Sequence, residues 1–226
     1  MKIAIVVPVF NEALTLPRLI AHVAALNETA SQDFELVFVD GGSTDNTAAL
    51  IQNAGLRIVN SAKGRAWQMN AGAIKTTGDV LLFLHADTQL PVNALEQIQS
   101  NLVENVCWGR FDVRIEGKPW MLRVVSRMMN WRSHLTGIAT GDQAMFMTRA
   151  AFQAIGGVPE QALMEDIEAS RRLRQLSRPA CISSPVVTSG RRWETRGVWK
   201  TIFLMWRLRW AYWRGQNPKQ LAELYA

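Results

Sequence analysis

Four apolar runs, at residues 2–10, 34–39, 56–60 and 80–84, each break off into a polar cluster, and helical patterning fills the intervals between them. Residues 13–26 set Leu16, Leu19, Ile20, Val23 and Leu26 at helical spacing, with Pro17 tolerable in the first turn. Residues 43–47, rich in N-cap types, open a second helix that runs to about Asn53 and stops at Gly55. A third runs from about Ala66 to Lys75. This alternation implies an α/β domain: a mostly parallel central sheet flanked by helices, with right-handed crossovers. In such a sheet the strand ends share one edge, where ligands bind. Asn11-Glu12, Asp40-Gly41-Gly42, Lys63-Gly64-Arg65 and His85-Ala86-Asp87 should therefore converge. A solvated loop explains any one of these clusters more easily than all four. His85 and Asp87, at i and i+2, can address one ligand, a metal ion or a phosphate-bearing substrate.

Downstream, a helix is expected from after Pro91 to about Glu104. Trp108–Glu116 alternates Phe111, Val113 and Ile115 with Arg110, Asp112, Arg114 and Glu116, the period of a half-exposed antiparallel strand. Residues 119–132 carry Trp120, Val124, Met128 and Trp131 as a helical stripe, read as core or as a lid over the site, with core favoured. Thr140-Gly141-Asp142-Gln143 precedes a strand at 144–147, and short strands follow at 181–188. Glu165-Asp166-Ile167-Glu168 opens a helix that ends near Gln175 beside Arg171, Arg172 and Arg174, a polarity that suits the helix dipole.

A chain of 226 residues is long enough for one domain with a proper core. Cys107 and Cys181 stand far apart with no Cys/His cluster, which argues against a disulfide scaffold or a structural zinc and for a reducing compartment. The N-terminal apolar run is followed at once by Asn11 and Glu12 and reads as a first strand rather than a leader. With no uncharged run long enough to span a bilayer, a cytoplasmic protein is expected.

The charge is uneven: residues 191–226 hold eight basic groups and two acids, the whole formal net charge of +6. Within 198–214, Trp199, Phe203, Trp206, Trp210 and Trp213 form one helical stripe flanked by Lys200, Arg207, Arg209 and Arg214. Leu204, Leu208, Ala211 and Tyr212 lie opposite. Such a helix suits the headgroup layer of an anionic membrane, as a peripheral contact at its inner face. Burial against the body or in a dimer contact is the alternative.

Taken in order, Val7-Pro8-Val9-Phe10-Asn11-Glu12, residues 39–47, Gly64-Arg65 with Asn70-Ala71-Gly72, Leu84-His85-Ala86-Asp87 and Glu165-Asp166 resemble the inverting glycosyltransferases of family 2, with the GT-A fold. The likeness covers nearly the whole chain. The short length, His85-Ala86-Asp87 and Arg191-Arg192-Trp193 look most like a small bacterial subgroup, some of whose members are associated with arsenosugar biosynthesis. The resemblance implies a GT-A domain over residues 1–190, with a nucleotide-binding half to about 90 and an acceptor half from about 91. The basic segment 191–226 would pack on it.

The resemblance also implies roles. Glu12 and Asp40 would bind the base and ribose of a nucleoside diphosphate sugar, in a donor site that also takes in Pro8, Gly64, Arg65 and His85. Asp87 would hold a divalent metal, Mn2+ or Mg2+, on the diphosphate. Asp166, or Glu165 in its place, would deprotonate the acceptor, a small molecule or a lipid-linked one. Arg191 and Arg192 would face the diphosphate, and Asp142 and Trp193 the acceptor. His85 stands where the family's metal motif usually has Asp; a neutral imidazole can meet a ribose hydroxyl or ligate the metal.

Competing readings are another nucleotide-dependent transferase, or a non-catalytic protein using the basic tail on membrane or nucleic acid. The first would need a glycine-rich phosphate loop after the first strand, where residues 8–12 are acidic and glycine-free. Nucleic acid is not expected as a partner, because the acidic strand ends would then have no use.

Overall fold

A computed structural model describes residues 1–29 and 33–225; Ala226, the end of the expected tail segment, lies outside the described residues. In chain order the elements are β1 (Ile3–Val9), α1 (Leu16–Thr29), β2 (Phe34–Asp40), α2 (Thr47–Asn53), β3 (Ile58–Asn60), α3 (Arg65–Ile74), β4 (Val80–Phe83) and β5 (Thr88–Gln89). Then come α4 (Ala94–Asn101), β6 (Trp108–Glu116), α5 (Met121–Thr136), a 3-10 turn (Gly141–Gln143), β7 (Phe146–Thr148), α6 (Arg149–Ala154) and α7 (Glu165–Leu173). β8 (Ala180–Ser189), α8 (Arg191–Arg196), α9 (Val198–Trp213) and α10 (Pro218–Tyr225) complete the chain.

The strands form one sheet in the order β3-β2-β1-β4-β7-β6-β8-β5. β3, β2, β1 and β4 are parallel, β7 runs against both β4 and β6, and β8 lies parallel to β6. The sheet is buried on both faces. Ile3, Ile5, Val7 and Val9 of β1 join Leu16, Leu19, Val23 and Leu26 of α1 in one core, while Ala4 and Val6 join Ala66, Met69 and Ala73 of α3 in the other. That explains why β1 shows a continuous apolar run instead of alternation. α3 lies close on the sheet at Gly72, where an added Cβ would stand 2.3 Å from Val6 Cγ1.

Two expectations fail after residue 90. Arg110 does not face solvent; it is fully buried where α5 covers β6, paired with Asp112 and reaching the Asn130 carbonyl of α5. The stripe of α5 is not core. Trp120, Met128 and Trp131 are 70%, 54% and 66% exposed, and the buried side of the helix carries Leu122, Val125, Ser126 and Ser133. α4 also ends earlier than expected, in a turn where Asn105 takes a left-handed conformation.

α9 buries Leu208 and Ala211 together with Leu221 of α10 against Met164, just before α7. The five aromatic side chains of its stripe, Trp199, Phe203, Trp206, Trp210 and Trp213, all stand exposed, while Tyr212 is half-buried against the Met164 cluster. Among the described residues no helix is long and apolar enough to cross a membrane.

Candidate active site

The parallel register sets the strand ends level. Val9 pairs with Asp40 and Asp40 with Asn60, and the Val6–Phe83 pairing carries Pro8 and His85 to the same edge. Gln68 ties this edge together: its side-chain amide, buried under the strands, donates to the carbonyls of Val9 (2.7 Å) and Val39 (2.8 Å). The Val9 carbonyl also accepts from Gly41 N–H (3.0 Å), so Gln68 reinforces the junction between the ends of β1 and β2.

Glu12 and Asp40 line one end of the cleft. The Glu12 carboxylate accepts from the Thr15 hydroxyl at 2.7 Å and has Arg191 Nη2 3.7 Å away. Asp40 is nearly buried and accepts from both the backbone N–H (3.1 Å) and the hydroxyl (2.5 Å) of Ser43. It therefore shapes the turn after β2 as well as facing the cleft. Gly64 supplies the positive φ of 135° that turns the chain into α3 and delivers Arg65.

Asp87 occupies the middle. Its Oδ1 lies 3.3 Å from the Thr88 hydroxyl and 3.4 Å from that of Thr188, and Ser189 N–H donates to its carbonyl. Strand β8 therefore holds the Asp87 loop, a role for Thr188 that residue type alone does not suggest. His85 turns away from it: Nδ1 bonds Asp142 Oδ1 at 3.2 Å, and its Cε1–Nε2 edge lies against Gly141, where a Cβ would come within 2.5 Å.

The 3-10 turn is joined in turn to α7. Gly141 N–H donates to Asp166 Oδ2 (2.9 Å) and Ile167 N–H to Oδ1 (2.7 Å). Glu165 beside it is buried, and a narrow pocket between Pro8, Met69, Phe83, His85, Met145, Glu165 and Asp166 runs into the cleft. A wider depression bounded by Leu102, Cys107 and Ser177 contains none of these carboxylates.

Electrostatics separate the acids. Burial pushes both Glu165 and Asp166 above the ordinary carboxylate range. The neighbouring Asp166 charge adds to this at Glu165, and the two hydrogen bonds and Arg65 only partly offset it at Asp166. At Asp142, burial is outweighed by the His85 hydrogen bond and by Arg65 and Arg192, so its pKa is lowered. Desolvation opposes the charge on Arg65, but Glu165, Asp142, Asp166 and Asp87 together prevail and raise its pKa. Arg65 is thus the cation these four carboxylates share. Arg192 also feels Asp142 and Asp87 and lies 4.3 Å over the Tyr225 ring.

The cleft therefore unites Pro8, Glu12, Asp40, Arg65, His85, Asp87, Asp142, Glu165, Asp166, Arg191 and Arg192. Trp193 is different: it is half-buried and packs on the core shared by Met121 and Val198. Among the described residues no three His, Cys, Asp or Glu side chains cluster as metal ligands. Asp87 with two flanking hydroxyls suits a hard dication that takes its other ligands from diphosphate and water. His85, committed to Asp142 and packed on Gly141, is poorly placed to be a second ligand.

The family model described as "Glycosyl transferase family 2" matches residues 4–155. The undecaprenyl-phosphate 4-deoxy-4-formamido-L-arabinose transferase of Enterobacter sp. (strain 638) is 31% identical over 156 residues, 62% of this chain and 46% of that protein. Its counterpart from Proteus mirabilis is 28% identical over 150 residues, with the same coverage. The chain thus spans about half the length of these curated relatives. Among solved structures, S. aureus TarS 1-349 in complex with UDP-GlcNAc superposes with a TM-score of 0.63 at 18% identity, over 84% of this chain and 58% of that one. Glucosyl-3-phosphoglycerate synthase from Mycobacterium tuberculosis, with Mn2+, UDP and glucosyl-3-phosphoglycerate, gives 0.60 at 16%, over 81% and 70%. At such identities the likeness is one of fold.

Proposed function

Because the chain belongs to glycosyltransferase family 2, we propose that it moves a sugar from a nucleoside diphosphate sugar to an acceptor hydroxyl with inversion. The observation that carries this reading is one cleft in which a single metal-suited carboxylate, Asp87, and a cation, Arg65, face a buried acid pair, Glu165 and Asp166. Glu12 and Asp40 would receive the nucleoside, and Arg65, Arg191 and Arg192 would neutralise the diphosphate. Arginine forks suit phosphate oxygens. Asp87 would anchor Mn2+ or Mg2+, which supplies Lewis-acid stabilisation of the leaving diphosphate.

Asp166 would take the acceptor proton while the acceptor oxygen bonds to the anomeric carbon from the face opposite the diphosphate. The diphosphate leaves with the bonding electron pair. A carboxylate whose pKa is raised by burial is a better base near neutral pH than an ordinary one. Gly141 and Ile167 N–H groups fix its orientation, and Asp142 would meet the acceptor while holding His85. Glu165, more deeply buried, would tune Asp166.

The names of the curated relatives favour a lipid-linked acceptor, and the exposed aromatic faces of α9 and α5 fit a peripheral position on a membrane's inner face. Apart from Arg132, whose donors are buried, α5 and α9 together carry five Lys and Arg side chains and no acidic one. The likeness to the arsenosugar-associated subgroup rests on His85-Ala86-Asp87 and Arg191-Arg192-Trp193 and leaves the acceptor open.

A thermal-shift panel of nucleoside diphosphates and their sugars, with and without Mn2+, tests the reading. At a hundredfold excess over Kd a ligand adds about 2.7 kcal/mol, or roughly 5–10 °C for a chain of this size. Asp87→Asn should erase the Mn2+ increment. A panel in which no nucleotide raises Tm overturns the proposal.

A further inference from the structure

Where α5 meets β6, two arginines carry more donors than partners. Arg110 on β6 is fully buried; it is paired with Asp112 and reaches the Asn130 carbonyl at 3.4 Å, yet its Nε has no partner. Arg132 on α5 encloses both Nε and Nη2 without a hydrogen bond, and the adjacent Ser133 hydroxyl is also buried and unpaired. The two guanidinium groups repel each other, and the carboxylate whose charge offsets Arg132 is Asp166.

A cation with sealed, unmatched donors is costly, and an apolar side chain of similar volume would usually be no worse for the fold. Structure alone therefore gives no reason for arginine at position 132. A ligand anion does: a phosphate or carboxylate group offers the planar fork two acceptor oxygens.

We propose that Arg132, backed by Arg110 and Ser133, binds an anionic group carried by the acceptor, so that the acceptor's nucleophilic oxygen is held against Asp166. This rests on Asp166 marking the acceptor side of the cleft. It narrows the acceptor to molecules bearing a phosphate or carboxylate near the reacting oxygen. A lipid phosphate and a soluble phosphorylated alcohol share that chemistry.

Calorimetry with hexyl phosphate, glycerol 3-phosphate and hexanoate as probes, hexanol as the uncharged control, and UDP with Mn2+ in excess tests this on the full chain. At least one anionic probe should bind while hexanol does not. Preference for hexyl phosphate indicates a lipid-like source, and preference for glycerol 3-phosphate a soluble one. Arg132→Met should weaken probe binding about tenfold or more, Arg132→Lys should lie between, and UDP affinity should be unchanged in both. Ligand-free Arg132→Met should melt no lower than wild type, since Nε and Nη2 have no hydrogen bond to lose and the Asp166 charge offsets only part of the cost of burial. Equal probe binding in wild type and Arg132→Met, displacement of the probes by UDP, or a clear drop in Tm of both variants would overturn the assignment. UDP failing to bind while probe binding still depends on Arg132 would reject the donor reading and support this site.

Discussion

Asp166→Asn changes the proposed base with almost no change in shape, and the structure predicts opposite effects on turnover and stability. Removing a general base typically costs about 10²–10⁴ in rate, or about 2.7–5.4 kcal/mol of barrier. The pH-dependent part of the stability should move the other way. The Asp166 pKa is raised even though Gly141 and Ile167 both donate to its carboxylate, so the buried anion is disfavoured despite both bonds. With a raised folded pKa, the native state holds the proton more tightly than the unfolded chain. That stability is present below the ordinary carboxylate range and lost as pH rises through the raised value. Asparagine carries no charge and escapes that loss, about 1.4 kcal/mol for each unit of upward shift, but its amide nitrogen cannot accept from Gly141 or Ile167 N–H, so one of those two bonds is given up at every pH. Between acid and neutral pH the variant should therefore gain on wild type by roughly 3–5 °C per unit, from an acid baseline lowered by the lost bond. Because Glu165 is coupled to Asp166, the quantity measured belongs to the pair. The assays are initial-rate release of nucleoside diphosphate from whichever donor the thermal panel selects, donor affinity, and Tm against pH. Normal turnover with weakened donor binding would refute the assignment. So would a variant that melts lower at neutral pH and recovers in acid, since the carboxylate would then be a structural cap.

Other perturbations probe the parts that hold this pair. Arg65→Ala removes the cation shared by Glu165, Asp142, Asp166 and Asp87; donor affinity should fall about 10- to 100-fold. The rising limb of the pH–rate profile should move to higher pH, because Arg65 holds the Asp166 pKa down, and an unmoved limb would exclude that role. Gly72→Ala would bring a Cβ 2.3 Å from Val6 and 2.9 Å from Val39, so denaturant unfolding should show a loss of about 1–3 kcal/mol. An unchanged midpoint would mean that α3 is not seated on the sheet as described. On the outside, Trp206→Ser with Trp210→Ser, and separately Met128→Ser with Trp131→Ser, should each reduce salt-sensitive co-sedimentation with phosphatidylglycerol vesicles. Wild-type protein that stays in the supernatant would dismiss the membrane contact. Cutting the chain at Gly197 is a poorer test, because it strips Leu208, Ala211 and Leu221 from Met164.

How far the sequence could lead is clearest at α5 and β6. The strand-end clusters were legible because a polar group after a buried strand is a local pattern, and the parallel register then levels all of them at one edge. Gln68 and Thr188 were not, since a lone amide or hydroxyl says nothing about which carbonyls or carboxylate another segment will bring to it. On α5 the failure has a specific cause. β7 pairs with β6 only at Trp108 and Gly109, leaving the later backbone groups of β6 without a strand on that side. α5 covers them with polar side chains: Ser126 Oγ accepts from Ile115 N–H (2.9 Å), and the Asn130 amide meets both the N–H (2.9 Å) and the carbonyl (3.1 Å) of Val113. Covering an open strand edge in this way satisfies buried backbone groups that would otherwise be costly to leave unpaired. A helix given that task turns a partly polar face inward, and its remaining apolar residues, Trp120, Val124, Met128 and Trp131, go outward. Helical periodicity can reveal two such faces. Only the length of β7, set by a different part of the chain, decides which of them is buried.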